Sequence, residues 1–307
     1  MTKIASIEPL HARVGIRNQL LVKVTTEDGL YGWGESGLSC REGAVAAAIA
    51  HFADFLVGKD SRQIGRIWQE TYRSQYFEGG RGFTAAMSAI DIALWDIKGK
   101  ALGVPVWSLL GGRSADRLPA YASGGWANAE GIGDQLRSYI DSGGFKSVKM
   151  RVGAMDGAPH VSAKRVRAAR EAIGPDVDLM VDAHGTYTVA EAKRFAALVA
   201  DCDLAWFEEP INGDDVPGLA EFRHATHIPV AVGESECTRF DFRDIMVSRA
   251  ADILQPDPAF CGGITEAMRI AAMASASSCA TRCQATPNSR PDGANRSLSI
   301  RRRRCMS

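Results

Sequence analysis

Leu179-Met180-Val181-Asp182, Leu204-Ala205-Trp206-Phe207-Glu208 and Pro229-Val230-Ala231-Val232-Gly233-Glu234 are three apolar runs, each closed by a carboxylate. The three acids recur at intervals of 26 residues. A strand, a loop, a helix and a return loop occupy about 25 to 35 residues, so the interval is that of a repeated βα unit. Acids at the C-terminal tips of successive parallel strands converge on one mouth. Such a cluster repels itself unless a hard cation sits in it, and oxygen ligands suit Mg²⁺. An acid at a strand end also serves as an ordinary helix cap. Three in register, each after an apolar strand, favour the metal reading, so Asp182, Glu208 and Glu234 are the expected ligands.

Two more tips extend the series. Ser147-Val148-Lys149-Met150-Arg151 precedes it, and Asp252-Ile253-Leu254-Gln255-Pro256-Asp257 follows. Strands are expected at 118–123, 147–152, 178–183, 204–209, 229–234 and 252–257. Helices are expected at 129–142, 162–173, 189–201, 215–226, 239–250 and 263–276. That makes six βα units where a closed parallel barrel has eight.

Residues 1–115 have a different grammar. Leu20 to Thr26 alternates like a strand, Asp28-Gly29 is a turn pair, and Tyr31-Gly32-Trp33-Gly34-Glu35 returns, which predicts an antiparallel hairpin. Helical patterns follow at 44–56, 61–76 and 84–101, the last with Met87, Ile90, Ala93, Leu94 and Ile97 on one face. The expected fold is therefore α/β, with an α+β cap over 1–115 and an incomplete TIM-like barrel over 116–276. Residues 277–307 form an atypical tail with seven arginines after Cys279 and no strand pattern. Periodicity lost abruptly inside a βα repeat reads as a frameshift or truncation, with weakened stability and activity as the expected consequence.

Lys and Arg together number 36, as do Asp and Glu, so the chain lacks the charge excess of a nucleic-acid-binding or anionic-membrane-binding protein. No apolar run reaches the roughly 18 residues of a membrane helix, and the N-terminus lacks a signal-peptide core. A cytoplasmic location is expected. The seven cysteines show neither zinc-ligand pairing nor an even count, which argues against a secreted disulfide framework.

Taken together, these motifs resemble the enolase superfamily, in its mandelate racemase and muconate lactonizing subgroup. Ser88-Ala89-Ile90-Asp91-Ile92-Ala93-Leu94-Trp95-Asp96 and Leu109-Leu110-Gly111-Gly112 look like the family's junction between cap and barrel. Asp182, Glu208 of Phe-Glu-Glu-Pro and Glu234 of Gly-Glu-Ser match its Mg²⁺ ligands. Asp257 of Gln-Pro-Asp matches an aspartate that orients a catalytic histidine. The resemblance implies removal of a proton next to a carboxylate through an enediolate held by Mg²⁺. It also suggests a homo-oligomer.

The base is the open question. Lys149-Met150-Arg151 matches a Lys-x-Lys strand whose second lysine is the family's usual base. Arginine stays protonated at ordinary pH, so Arg151 is better suited to holding substrate or stabilising charge. Lys149 is suited to polarising the carboxylate. Asp182-Ala183-His184 puts a histidine two residues past a ligand, where some sugar-acid dehydratases carry an acid or base, and histidine titrates in the useful range. His184 is thus the favoured proton carrier. No histidine follows His227, so Asp257 lacks the family's partner in this sequence. Thr238-Arg239-Phe240-Asp241-Phe242 is similar to galactonate-type dehydratases. The expected activity is dehydration of a small carboxylate substrate, a sugar acid. The alternatives are a racemase, epimerase or cycloisomerase of the same superfamily, or an inactive remnant.

Overall fold

The structure, a computed structural model, describes residues 2–277 apart from 16, 74, 75 and 154, together with the backbone of 280–281. Alternating burial organises the first domain. Strands β1 (Ile4–Val14), β2 (Arg17–Thr26) and β3 (Tyr31–Ser36) form an antiparallel sheet in chain order. Leu20, Val22, Val24 and Thr26 of β2 are buried at every second position. The Asp28-Gly29 turn closes as expected, with Thr26 N donating to Leu30 O at 2.8 Å. β1 is an addition to the sequence reading. It is an edge strand in which Ile4 and Ile7 alone are buried and Pro9 has no donor, so it lacks the clear alternation of β2.

Helices α1 (Glu42–Leu56), α2 (Ile64–Arg73), α3 (Gly80–Leu102) and α4 (Val106–Leu109) complete the cap. The glycines of Tyr31-Gly32-Trp33-Gly34 have a steric reason. A Cβ at Gly32 would fall 2.1 Å from Ala93 O, and one at Gly34 would fall 1.8 Å from Ala89 O. The backbone of β3 thus lies directly on the small-residue face of α3, and any side chain there would push the two apart.

The second domain alternates strand and helix: β4 (Ala122–Gly124), α5 (Ile132–Gly143), β5 (Ser147–Arg151), α6 (Pro159–Ile173), β6 (Asp178–Asp182), α7 (Val189–Leu198), β7 (Leu204–Glu208), α8 (Val216–His224), β8 (Val230–Val232), α9 (Thr238–Val247), β9 (Ile253–Leu254), α10 (Gly263–Ser275) and β10 (Ala280–Thr281). The strands pair in parallel, in chain order. Strand parity sorts the side chains. Leu179, Val181 and Phe207 join the outer core with Phe195 and Phe222 of the helices. Met180, Trp206, Ala231 and Ile253 cluster in the interior. Truncating Phe207, which is fully buried, to Ala should cost about 3–5 kcal/mol.

Six βα units match expectation, with two corrections. The first strand is Ala122–Gly124 rather than 118–123, because Pro119 cannot donate to a ladder and Leu118 is exposed. The tail carries no strand pattern in the sequence, yet Ala280–Thr281 pairs in parallel with Ile253 and Leu254 of the neighbouring β9. Two residues are too short for a periodic signal. The rest of the tail lies outside the described residues.

A seam joins the domains. Asp91 of α3 accepts hydrogen bonds from Thr265 N at 2.9 Å and Thr265 Oγ1 at 2.5 Å, at the start of α10. Trp68 Nε1 donates to Gly262 O at 2.7 Å, and Gly262 N donates to Ser88 Oγ at 2.9 Å. The cap's core takes in Cys237 and Phe260 of the barrel.

Candidate active site

Parity continues to the strand tips. Val148 and Met150 face the outer core, so Lys149 and Arg151 face the interior side of β5. Arg151 is in register with Asp182, and Asp182 with Glu208. The chain order of the sheet therefore lines up a cation, then two carboxylates, across three neighbouring strands.

Asp182 is the centre of the arrangement and is fully buried. One of its oxygens meets Arg151 Nη1 at 2.7 Å and Lys149 Nζ at 3.2 Å. The other accepts from His184 N at 3.0 Å and lies 2.7 Å from His184 Nδ1. Burial alone would raise this carboxyl's pKa. The His184 hydrogen bond and the Lys149 and Arg151 charges reverse that and hold it well below the ordinary aspartate value. His184 has a positive φ of 49°, a conformation that costs a non-glycine residue about 1–2 kcal/mol. Its two bonds to Asp182 hold it there and aim the ring at the mouth. Arg151 Nη1 lies against the same ring.

Lys149 is buried between Asp182 and Glu208, with its ammonium 2.5 Å from Glu208 Oε1 and 5.5 Å from the centre of the Tyr121 ring. Burial opposes its charge, but Glu208 and Asp182 outweigh burial and push its pKa up, so Lys149 stays protonated. A lysine in that state is a charge, not a base. Trp206 Nε1 and Gln255 Nε2 each donate to Glu208 Oε2 at 3.2 Å. Glu234 follows Gly233 on the loop after β8, and its Oε1 lies 3.3 Å from His184 Nδ1.

Ligand atoms of Asp182, His184 and Glu234 lie within 4.8 Å of one another. Glu208 stands to the side of that group, turned to Lys149, Trp206 and Gln255. Of the expected trio, Asp182 and Glu234 meet through His184, and Asp182 and Glu208 meet through Lys149. The donor set fits a divalent cation: three acids face two fixed cations, and carboxylate oxygens suit a hard ion. Asp257 is placed differently. Its Oδ1 accepts from Ala259 N at 2.8 Å, and a Cβ on Gly37 of the cap would approach its other oxygen to 3.0 Å. It belongs to the contact between the barrel and the β3–α1 loop.

Sequence reasoning passed over several neighbours. Glu209 is buried with Oε1 lacking a hydrogen-bond partner among the described residues, and burial together with Glu234 and Glu236 pushes it up to about 8. Burial pushes Glu236 up to about 7, against the Arg81 charge. The doubled acid of Glu208-Glu209 is visible in the sequence, but only Glu208 falls on the 26-residue interval. Gln255 and Trp206 carry no charge to announce them.

A cap domain whose antiparallel sheet and helices pack on a partial (β/α) barrel, with acids at successive strand tips, defines a class of fold, and comparison with known proteins places the chain in a family within it. Residues 4–111 match the family model for the mandelate racemase / muconate lactonizing enzyme N-terminal domain, and residues 131–290 match that of the enolase C-terminal domain-like family. The chain belongs to the mandelate racemase / muconate lactonizing enzyme subgroup of the enolase superfamily. It is 37% identical over 265 residues to a D-galactonate dehydratase of Ralstonia nicotianae, covering 84% of this chain and 69% of that protein. It is 38% identical over 264 residues to that of Variovorax paradoxus, with the same coverage. The crystal structure of the 3,6-anhydro-D-galactonate cycloisomerase from Zobellia galactanivorans superposes with a TM-score of 0.84 at 36% identity, covering 92% of this chain and 80% of that one. A member of the enolase superfamily from Polaromonas sp. JS666 gives 0.84 at 35%, covering 93% and 80%. No helix among the described residues is long and apolar enough to cross a membrane.

Proposed function

We propose that the chain is a Mg²⁺-dependent hydro-lyase that removes water from a sugar acid, with D-galactonate the first candidate. The observation that carries this is the group of Asp182, His184 and Glu234 at the mouth, flanked by Lys149 and Arg151. The similarity to D-galactonate dehydratases supports the substrate class. Asp182, Glu234 and, next to them, Glu208 would hold the ion. When bound, Mg²⁺ supplies a positive charge for the substrate carboxylate, where negative charge accumulates as the neighbouring proton leaves.

The chain's own residues account for the remaining steps. Lys149, fixed in its charged form, stabilises the same developing charge from the interior. Arg151 holds a carboxylate or hydroxyl oxygen of the substrate at the rim. His184 Nδ1 faces the Asp182 carboxylate, which orients the ring, and Arg151 Nη1 lies against the same ring. His184 takes the proton from the carbon next to the carboxylate. It then delivers that proton to the hydroxyl on the following carbon, whose C–O bond breaks with release of water. The resulting enol tautomerises to a 2-oxo-3-deoxy acid.

The test is to incubate the protein with D-galactonate and related sugar acids, with Mg²⁺ and with a chelator, and to detect 2-oxo acid as its semicarbazone. Metal-dependent product is expected. A cooperatively folded, metal-binding protein that yields no 2-oxo acid from any of them would overturn the dehydratase reading. An isomerised product instead would favour the cycloisomerase alternative, which the resemblance to the Zobellia enzyme supports.

A further inference from the structure

Trp126 lies on the loop between β4 and α5, half exposed, a costly place for the largest apolar side chain. Its surroundings are unusually fixed for a surface loop. Gln135 Oε1 accepts from both Trp126 N and Ala127 N at 2.9 Å. Arg165 is itself only 4% exposed. Its guanidinium donates to Gly125 O at 3.0 Å, to Ala127 O at 2.9 Å and to Arg151 O at 2.8 Å, and pairs with Asp156 at 2.9 Å. One buried arginine thus ties the residues on both sides of Trp126 to the tip of β5. Gly125 packs so tightly on Met150 that a Cβ there would come within 2.4 Å of the Met150 Cβ.

The result is a backbone fixed on both sides of Trp126, with the indole beside the site. The Arg151 guanidinium stacks over the Trp126 ring, 5.2 Å from its centre, while its Nη1 bonds Asp182 at 2.7 Å. A substrate whose carboxylate is drawn to the Lys149 side of the site extends its remaining carbons outward past Arg151. The Trp126 indole, stacked with the Arg151 guanidinium, stands on that side of the site. Sugar-derived chains carry C–H groups that pack on aromatic faces while their hydroxyls turn to water, and a ring already stacked on Arg151 over a fixed backbone loses less freedom in doing so.

We propose that Trp126 is a specificity-determining residue that packs against the polyol chain of the sugar acid; this rests on the sugar-acid reading of the site. The residue selects for chain length beyond the reacting carbons and takes no part in proton transfer.

The experiment compares the Mg²⁺-loaded wild type with Trp126→Phe and Trp126→Ala, using D-galactonate and glycerate. Glycerate carries the carboxylate and both reacting carbons but no polyol chain. For galactonate, KM should rise about tenfold in Trp126→Ala and about threefold in Trp126→Phe, with kcat within about twofold; tenfold corresponds to about 1.4 kcal/mol of binding. KM for glycerate should stay unchanged in both. Independently of turnover, galactonate should quench the tryptophan fluorescence of wild type more than that of Trp126→Phe. Equal loss for galactonate and glycerate would mean that the loop is merely structural and would overturn the proposal. So would identical quenching in wild type and Trp126→Phe, whether or not any acid is turned over. Failure of the sugar-acid reading shows itself separately, as absence of 2-oxo product from the wild type.

Discussion

Two aspartates, both buried, sit in opposite states in this molecule. Asp182 at the mouth is surrounded by Lys149, Arg151 and His184 and is held well below the ordinary aspartate pKa. Asp91 in the seam between cap and barrel touches Thr265, with the charge of Arg269 further off. Burial pushes it up to about 7 against those opposing effects. The same side chain is an anion where cations are arranged around it and close to a neutral hydrogen-bonding group where they are not. The first arrangement keeps negative charge in a site that can receive a metal. The second fastens the start of α10 to α3, acting as a helix cap supplied by another domain.

Exchanging each aspartate for asparagine should separate the two roles. Asp182→Asn should lower sugar-acid turnover by about 10³-fold or more, since it removes a ligand's charge and weakens the acceptor that orients His184. Asp91→Asn should leave turnover within about threefold. Comparable losses in the two variants, measured at saturating Mg²⁺ by 2-oxo acid formation, would show that the seam and the mouth are not distinct. The next largest effect lies within the mouth. His184→Ala should lower kcat by about 10²-fold while Mg²⁺ affinity changes little, because a hard cation relies on the carboxylates. Retained kcat would assign the proton transfer elsewhere. Lys149 is a poor substitute, being held protonated.

The two aspartates also respond to pH with opposite sign. Asp91 has a folded pKa of about 7, above its unfolded value of 3.8. The stability it contributes is complete below about pH 4 and is lost as pH rises through 7. Asp182, shifted the other way, contributes stability above its unfolded value of 3.8, and that stability is lost only in stronger acid. Between pH 4 and 8, therefore, the difference in melting temperature between wild type and Asp91→Asn should move in favour of the variant by several degrees as pH rises. Asparagine keeps one acceptor for Thr265 N and one donor for Thr265 Oγ1. A constant difference would show that Asp91 is ionised throughout. The smallest expected effect is a control. Thr188 caps α7 from within its own domain in a capping box with Glu191, and Thr188→Ala should cost about 1 kcal/mol of stability with unchanged kcat.

The barrel and the mouth were legible because their signals are periodic. A 26-residue interval at the ends of apolar runs locates Asp182, Glu208 and Glu234 without coordinates. His184 was legible as a titratable residue two places from a ligand. The seam was legible only as a motif. Nothing in the alternation of α3 says that Asp91, buried among alanines and isoleucines, reaches Thr265 across 174 residues. β1 escaped because only Ile4 and Ile7 of its residues are buried, too few for an alternation, and β10 because two residues carry none. The split of the expected ligands, with Glu208 turned to Lys149, depends on side-chain rotamers that spacing does not encode. Trp126 escaped for a similar reason: the backbone on both sides of it is held by Arg165, 39 positions away in the chain.

The central claim is that the carboxylates at the strand tips hold a divalent cation on which turnover depends. It is tested most directly by calorimetric titration of Mg²⁺ into wild type, Asp182→Asn and Asp91→Asn at fixed ionic strength and neutral pH. A single saturable site per chain is predicted for wild type and Asp91→Asn, absent or at least about 10²-fold weaker in Asp182→Asn. Equal binding in all three proteins, or none in the folded wild type, would contradict the account.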